Sequence, residues 1–436
     1  MADSLPMLTQ FVWREFALAD LFDGLEASES VLLHGLHGAS RALALAACQA
    51  GTGQTLLVLC RSDEVAAALA ADLEFFLGNT VALLPEREAD PEARAGRVLA
   101  LHRLNTGQVT VLVASVAAAL PRTIAPAALA AAVLSLYPQR IVPRDELLRI
   151  LTAGGYRSVG QVTEPGEFAI RGGIVDCSPP QLSHPVRIEF FGDQVDSLRQ
   201  FDAETQRSLG PLPQVTILPL AEIPMTEGAA SHAAMRLRNA ARGHDISVPV
   251  ALLEALEQRR PIPEWDAFLP YFLPDLVTLH AHLPVNTLIV WDEQAALAER
   301  ANAFREEEET EVAREPDLAP LLPPPAERWV SWAEFQEAAR PWPGITLETF
   351  GPPGDAGAGG RPVCAISATS VDGYHGRIAA FLEDLDAARR QGQRSILVAR
   401  RWGSRGRYAG AGHGRPWPRG CGRGCGQCPR RARGRR

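Results

Sequence analysis

The sequence predicts an α/β protein in which an open parallel sheet carries an inserted, strand-rich segment. Between residues 30 and 135, short apolar runs alternate with helical patterns. This is the order of a βαβ series, which builds a parallel sheet. Between residues 165 and 207, short strand patterns follow one another with only turns between them. Two architectures are therefore expected in one chain.

The elements of the parallel sheet follow from the length and spacing of the apolar runs. The predicted strands share short, apolar stretches and cover residues 31–33, 55–60, 81–84 and 109–114. Helical patterns fill the intervals, as in residues 39–49 and 63–76. Further along, residues 287–291 are predicted to form a strand and residues 293–311 an acidic helix. The sequence therefore returns to the α/β pattern after the strand-rich segment.

Length and changes in composition divide the chain into segments. A chain of 436 residues is long for one domain, so two to four folded domains are expected. The predicted divisions are an α/β lobe in 1–131, the strand-rich module in 132–220, a second α/β lobe in 221–335, the start of a further small α/β domain in 336–399, and a tail in 400–436.

Composition excludes several classes of protein. No uninterrupted apolar run reaches the roughly eighteen residues of a membrane span, and the first thirty residues lack the basic start and apolar core of a signal peptide. The cysteines of residues 1–399 are scattered, which suits the reducing cytoplasm where we expect the protein to work. Residues 1–399 carry 31 basic against 51 acidic residues, a net charge of −20. This charge argues against broad binding to a phosphate backbone.

The strand-rich segment has the alternation of a half-buried sheet. The side chains predicted to be buried are Phe168, Ile170, Ile174, Val175, Val186, Ile188 and Phe190. Arg187, Glu189 and Phe191 alternate with the last of these and point to the opposite face. An exposed Arg and Phe on one face are typical of a protein-binding hot spot, although a solvated sheet face would show the same pattern.

The motifs of this segment resemble a known family. Residues 166–176 read Gly-Glu-Phe-Ala-Ile-Arg-Gly-Gly-Ile-Val-Asp, and residues 187–193 read Arg-Ile-Glu-Phe-Phe-Gly-Asp. In order and spacing they resemble the UvrA-binding module shared by the excision-repair protein UvrB and the transcription-repair coupling factors. The resemblance implies that Arg171, Arg187 and Phe191 contact UvrA. Glu167 and Glu189 are candidates for holding the two guanidinium groups in place.

The first strand-to-helix turn distinguishes between the two relatives. Gly35, Gly38 and Ser40 lie where a phosphate-binding loop would lie, but such a loop needs a Lys that reaches the outer phosphates. The sequence has no Lys at all, and Arg41 lacks the compact charge of one. We therefore predict a degenerate phosphate loop. UvrB keeps this loop intact, so its loss favours resemblance to the coupling factors.

Two further features point the same way. Asp292 and Glu293 follow a predicted strand, and by themselves they favour a strand that runs into an acidic helix start. The resemblance implies that they are a magnesium-binding remnant of an ancestral motor. Between residues 85 and 104 the chain has no Phe, Tyr or Trp, whereas UvrB carries there an aromatic hairpin that probes DNA. The resemblance therefore implies a degenerate UvrB-like lobe in residues 1–131, a UvrA-binding module in 132–220 and a second UvrB-like lobe in 221–335.

The tail is of a different kind. From residue 400 onward the chain has 12 Arg and no acidic residue, with many Gly, Pro and Cys. The tail is either a nucleic-acid-binding segment rich in Arg and Gly or the out-of-frame translation of a GC-rich gene. We expect the out-of-frame translation. In both cases we predict that the tail is disordered. Cys421, Cys425 and Cys428 have a spacing that can hold an iron–sulfur cluster, but no core would position them. We predict no metal site.

The resemblance predicts a function in transcription-coupled nucleotide excision repair. The chain would recruit UvrA to RNA polymerase stalled at DNA lesions, without the ATP-driven translocase motor of the family. The full-length family implies ATP and magnesium as cofactors, whereas we predict none for this chain and no enzyme activity. RNA polymerase and double-stranded DNA would be reached only through other domains, and no membrane contact is expected. The alternative is a damage-binding ATPase of the UvrB type.

Overall fold

The computed structural model describes most of the chain up to residue 393. The described residues are 5–16, 18–23, 29–87, 90–260, 263–314, 316, 318–350, 362–366, 368 and 377–393. The predicted tail of residues 400–436, with its three cysteines, lies outside them.

The described strands and helices are numbered in chain order. The strands are β1 (Ser30–His34), β2 (Thr55–Cys60), β3 (Val81–Leu84), β4 (Val111–Ser115), β5 (Leu134–Leu136), β6 (Arg157–Ser158), β7 (Glu167–Arg171), β8 (Ile174–Cys177), β9 (Val186–Phe191), β10 (Gln194–Phe201), β11 (Ser208–Pro211), β12 (Val215–Ile217), β13 (Thr287–Asp292), β14 (Gly344–Glu348) and β15 (Val363–Ala365). The helices are α1 (Leu5–Glu15), α2 (Leu18–Phe22), α3 (Ala39–Thr52), α4 (Asp63–Leu77), α5 (Pro91–Asn105), α6 (Val116–Ala119), α7 (Pro126–Ala131), α8 (Arg144–Ala153), α9 (Glu227–Gly243), α10 (Val250–Glu257), α11 (Leu269–Phe272), α12 (Gln294–Arg314), α13 (Pro325–Arg328), α14 (Trp332–Ala339) and α15 (Ile378–Arg390).

The first sheet is parallel and is covered by helices on both faces. Across the described residues its strands run in the order β15-β1-β14-β13-β2-β4-β3. Its central strands are almost wholly buried, as parallel strands with both faces covered must be. One core lies under α3 and α4, and the other under α5, α6, α12 and α14.

Strands from distant parts of the sequence complete this sheet. β13 and β14 lie between β1 and β2, although more than two hundred residues separate them from those strands in the chain. β14 and β15 come from the stretch predicted to begin a further domain, and the structure places them beside β1. Because all these strands are parallel, the ends of β1, β13 and β14 meet at one edge.

The strand-rich segment forms a second sheet in the order β11-β10-β9-β8-β7-β6. Its strands are antiparallel except for the parallel pair β6 and β7. One face packs against α8 in a core that includes Phe168, Val175, Val186 and Ile188. At its base β5 pairs with β12, so the chain enters and leaves the module side by side. This pairing explains how a strand-rich module can be inserted between α/β elements.

A helical layer follows the second sheet in the chain. Helices α9, α10 and α11 enclose a core centred on Trp265, which is fully buried against Phe268 and Phe272. The edge-to-face ring contacts are the arrangement that aromatic quadrupoles favour. This layer connects the inserted module to β13 of the first sheet.

Candidate protein-interaction site

The outer face of the second sheet brings Arg171, Arg187 and Phe191 together around Glu189. Arg187 and Phe191 flank Glu189 on β9, and residues two apart on a strand share a face at a spacing of about 7 Å. Arg171 lies in the cross-strand row of Glu189, with Ile174 of β8 between them. Two strand spacings separate their backbones by about 10 Å. The strand register therefore groups the three residues predicted from the sequence.

Arg187 is held rigidly by a carboxylate of its own chain. Its Nε and Nη2 donate to Oδ1 and Oδ2 of Asp176 at 2.8 and 2.9 Å. The Asp176 side chain is only 2% exposed. The guanidinium also lies over the Phe201 ring, 4.7 Å from its centroid, a favourable cation–π geometry. The paired hydrogen bond to Asp176 raises the pKa of Arg187. The group is therefore a fixed charge whose bidentate edge is already used.

Asp176, rather than Glu167 or Glu189, holds this guanidinium, so the carboxylate partners suggested by the sequence were wrong. Glu167 accepts instead from Arg157 at 2.6 Å, and Glu189 accepts from the Ser197 hydroxyl at 2.6 Å. Asp176 was missed because it lies on the next strand. Only the register, which pairs it with Arg187, shows that the two side chains meet.

Arg171 and Phe191 are the exposed basic and the exposed apolar side chains of the face. Arg171 is exposed, and its Nη2 donates to the Gly160 carbonyl at 3.2 Å. Phe191 is 80% exposed at the end of β9. A ring this exposed contributes no core packing, so its apolar surface is available to a partner. Ile170, predicted to be buried, is 44% exposed because the core ends before the last two residues of β7.

The predicted degenerate phosphate loop connects β1 to α3. Gly35 and Gly38 have positive φ of 81° and 54°, and a Cβ on Gly35 would meet the Ile366 carbonyl oxygen at 2.5 Å. Gly35 is therefore required by the backbone itself. The Ser40 hydroxyl donates to the His37 carbonyl and accepts from its N–H, both at 2.8 Å. Ser40 thus closes the turn on itself.

Arg41 joins this loop to the two carboxylates predicted as a remnant. Counted from Gly35 in the pattern Gly-x-x-x-x-Gly-Lys-Ser/Thr, Arg41 stands at the Lys position and Ala42, which has no hydroxyl, at the Ser/Thr position. Nη1 of Arg41 lies 2.6 Å from Oδ1 of Asp292, and Nη2 of Arg41 lies 2.6 Å from Oε1 of Glu293. Nη2 also donates to the Thr349 hydroxyl at 2.6 Å. The acids that would hold magnesium are bonded to the protein's own cation.

The charges of this cluster depend on one another. Burial raises the pKa of Asp292 to about 6, and Arg41 opposes that rise. Burial also acts to raise the pKa of Glu293, but hydrogen bonds from Thr349 and the charge of Arg41 outweigh it and lower that pKa. Sequence reasoning found both ends of the cluster and missed their connection. The available signal was an Arg at the Lys position, with two acids at the end of a parallel strand.

Comparison with known proteins shows which proteins the chain resembles. A family model described as the UvrB interaction domain matches residues 134–222. The chain is 29% identical to the transcription-repair-coupling factor of Myxococcus xanthus over 399 residues, which cover 84% of this chain and 33% of the relative. It is 30% identical to that of Bacillus subtilis over 312 residues, 66% of this chain and 26% of the relative. The chain is therefore similar to proteins named transcription-repair-coupling factor, over the parts that these matches cover.

These matches confirm the predicted resemblance. The parallel sheet and the separate second sheet confirm the α/β class with its strand-rich module. With the factor of Escherichia coli K12 the identity is 27% over 338 residues, 29% of that protein. The matched part of the chain thus spans a third or less of these curated coupling factors. The roles of Arg171, Arg187 and Phe191 stay predictions. Among the described helices, none is both long and apolar enough to cross a membrane.

A cluster of charged residues around Glu222, which the sequence did not predict, attaches the C-terminal end of the module to the first lobe. Glu222 lies just after β12 and is buried, with Oε1 3.0 Å from Nε of Arg97 and 3.2 Å from Nη2 of Arg87. Its Oε2 accepts from the Thr123 hydroxyl and from the Ile124 N–H. Burial would raise the pKa of Glu222, but the two Arg and these hydrogen bonds hold it well below its usual range. The buried ion pairs and hydrogen bonds of Glu222 therefore anchor the end of the module to the first lobe.

Proposed function

We propose that this chain recruits UvrA in transcription-coupled nucleotide excision repair, to RNA polymerase stalled at DNA lesions. The relatives named transcription-repair-coupling factor and the UvrB interaction domain in residues 134–222 support a repair role linked to UvrA. RNA polymerase and double-stranded DNA are proposed as partners of the remaining parts of the coupling factors.

The observation that carries the proposal is the outer face of the second sheet. It combines a guanidinium fixed by Asp176, that of Arg187, with the exposed guanidinium of Arg171 and the exposed ring of Phe191. Arg and aromatic side chains dominate the energetics of protein interfaces. Because the bidentate edge of Arg187 is bonded to Asp176, we assign carboxylates of UvrA to Arg171 and a pocket to Phe191. Arg187 then supplies positive potential to the same surface.

We further propose that the matched residues bind no magnesium nucleotide and hydrolyse no ATP. Arg41 bonds Asp292 and Glu293, and Ala42 offers no hydroxyl to a metal ion. An ATPase would need those oxygens free for magnesium. A purified chain that turned over ATP in the presence of damaged DNA would contradict this part and favour the UvrB-type alternative.

Binding of purified UvrA to single-residue variants tests the recruitment. Phe191→Ala should weaken binding by about 2 kcal/mol or more, the range of hot-spot residues. Phe350→Ala is the matched control, because Phe350 is 81% exposed, as Phe191 is, but follows β14 of the first sheet. Arg171→Ala should weaken binding by about 2–5 kcal/mol if its ion pair is desolvated. Equal affinities for all three variants and the unaltered chain would refute the proposal.

A further inference from the structure

The apolar surface around Phe191 continues onto a neighbouring segment outside the β7–β10 strands. Ile141, in the connection between β5 and α8, forms an isolated antiparallel bridge with Gln194. Gln194 in turn pairs with Phe191 across the β9–β10 hairpin. Residues paired across antiparallel strands share a face. Ile141, Gln194 and Phe191 therefore form one row on the outer face of the sheet.

The alternation of buried residues agrees with this orientation. Val142 and Val195, the sequence neighbours of Ile141 and Gln194, are buried in the core of the module. The backbone bonds Val142 N–H to Asp193 and Val195 N–H to Arg140 fix the register between them. Because successive side chains point to opposite faces, Ile141 and Gln194 must point outward. The row is set by hydrogen bonds, not by a flexible loop.

Ile141 is exposed to a degree that its position in the sheet does not require. Its exposed fraction is 76%, against 80% for Phe191 at the other end of the row. Single exposed apolar residues need no explanation, but adjoining ones mark binding surfaces. About 10 Å separates the two backbones, two strand spacings, so one apolar ridge can touch both side chains. Gln194 lies between them, with an amide that donates to the Gln139 carbonyl at 3.3 Å.

We infer that Ile141 is a second apolar contact for UvrA. This inference rests on the function proposed above. The occupant is an apolar ridge of UvrA that lies over Gln194, between Ile141 and Phe191. Carboxylates beside that ridge reach Arg171, the exposed guanidinium of the same face. The contact surface thus extends past the hairpin of β9 and β10 onto the segment before α8.

Substituting Ile141 separates this inference from the function on which it rests. Ile141→Thr keeps the β-branched shape and the backbone bonds while removing apolar surface, and it should weaken UvrA binding about tenfold. Val285→Thr is the matched control, since Val285 is 96% exposed and precedes β13 of the first sheet; its affinity should equal that of the unaltered chain. Thermal unfolding of both variants should match the unaltered chain, because neither side chain is buried.

Each outcome decides between the two claims. If Ile141→Thr binds normally while Phe191→Ala does not, the UvrA surface ends at Phe191 and the inference is wrong, but the proposed function stands. If neither variant loses affinity, the proposed function fails and this inference fails with it. If Val285→Thr weakens binding as much as Ile141→Thr, the effect is not local and the inference is overturned. The double variant Ile141→Thr with Phe191→Ala should lose less UvrA affinity than the product of the two single fold-losses, because both residues contact one ridge.

Discussion

Removing Arg41 perturbs the cluster that joins the ends of β1, β13 and β14. Arg41 neutralises Asp292, whose side chain is 4% exposed, and Glu293, whose side chain is 34% exposed. In Arg41→Ala both carboxylates stay at the sheet edge without their cation. Breaking a buried pair by removing one partner costs about 3–5 kcal/mol. We expect a loss of that size in the free energy of unfolding at pH 8.

The loss should depend on pH, because Asp292 can take up a proton. Its pKa of about 6 lies above the ordinary value of 3.8, so the folded state binds more protons between those values. Stability from this group is therefore present at low pH and is lost as pH rises through about 6. Without Arg41 only the charge of Arg61 opposes the effect of burial on Asp292, and the pKa of Asp292 rises further. The cost of Arg41→Ala should then be smaller at pH 5 than at pH 8.

Urea unfolding followed by circular dichroism measures this difference. Arg149→Ala is the control, because its side chain is 72% exposed on α8, and it should change stability by less than about 0.5 kcal/mol. Adding Asp292→Asn to Arg41→Ala should recover most of the loss at pH 8. An Arg41→Ala protein as stable as Arg149→Ala at both pH values would refute the reasoning.

Three further predictions concern other buried groups. Arg187→Ala should cost about 3–5 kcal/mol of stability because it leaves Asp176 buried without its cation, and Asp176→Asn should restore part of it; an unchanged urea midpoint in Arg187→Ala would show that the pair contributes nothing. Burial lowers the pKa of His280 from 6.5 to about 4, so the unfolded state binds more protons between these values and lowering the pH from 6.5 to 4 should cost up to about 3 kcal/mol. The pH series of unfolding free energies should lose this component in His280→Phe, and equal slopes for both proteins would count against it. Glu222→Gln should lower the melting temperature by several degrees because Arg97, which is 3% exposed, loses its counter-charge. An unaltered melting curve would show that the ion pair between Glu222 and Arg97 does not stabilise the fold.

Local patterns predicted the strands of the first sheet well, because a strand that is buried on both faces consists of a continuous run of apolar residues. The apolar runs at residues 55–60 and 81–84 coincide with β2 and β3. The position of β13 and β14 between β1 and β2 was beyond prediction. That order depends on contacts across more than two hundred residues, which no local window contains.

In the candidate site, too, local patterns could be predicted and contacts between distant residues could not. Alternation along β9 placed Arg187 and Phe191 on one face, since the period of a strand is visible in the sequence. The bond from Arg187 to Asp176 depends on the register between two strands, and the bond from Arg41 to Asp292 joins residues 251 positions apart. Ile170 was assigned to the core because alternation does not say where a core ends.

Hydrogen exchange of the backbone amides with and without UvrA tests the central claim most directly. UvrA should slow exchange in the turn after β7 and in the hairpin of residues 189–194, while the loop of residues 35–41 should exchange as it does without UvrA. The turn and the hairpin belong to the outer face of the second sheet. The loop of residues 35–41 is held by hydrogen bonds and an ion pair within the chain. If UvrA binds and the hairpin amides exchange at an unchanged rate, the outer face of the second sheet is not the site of recruitment.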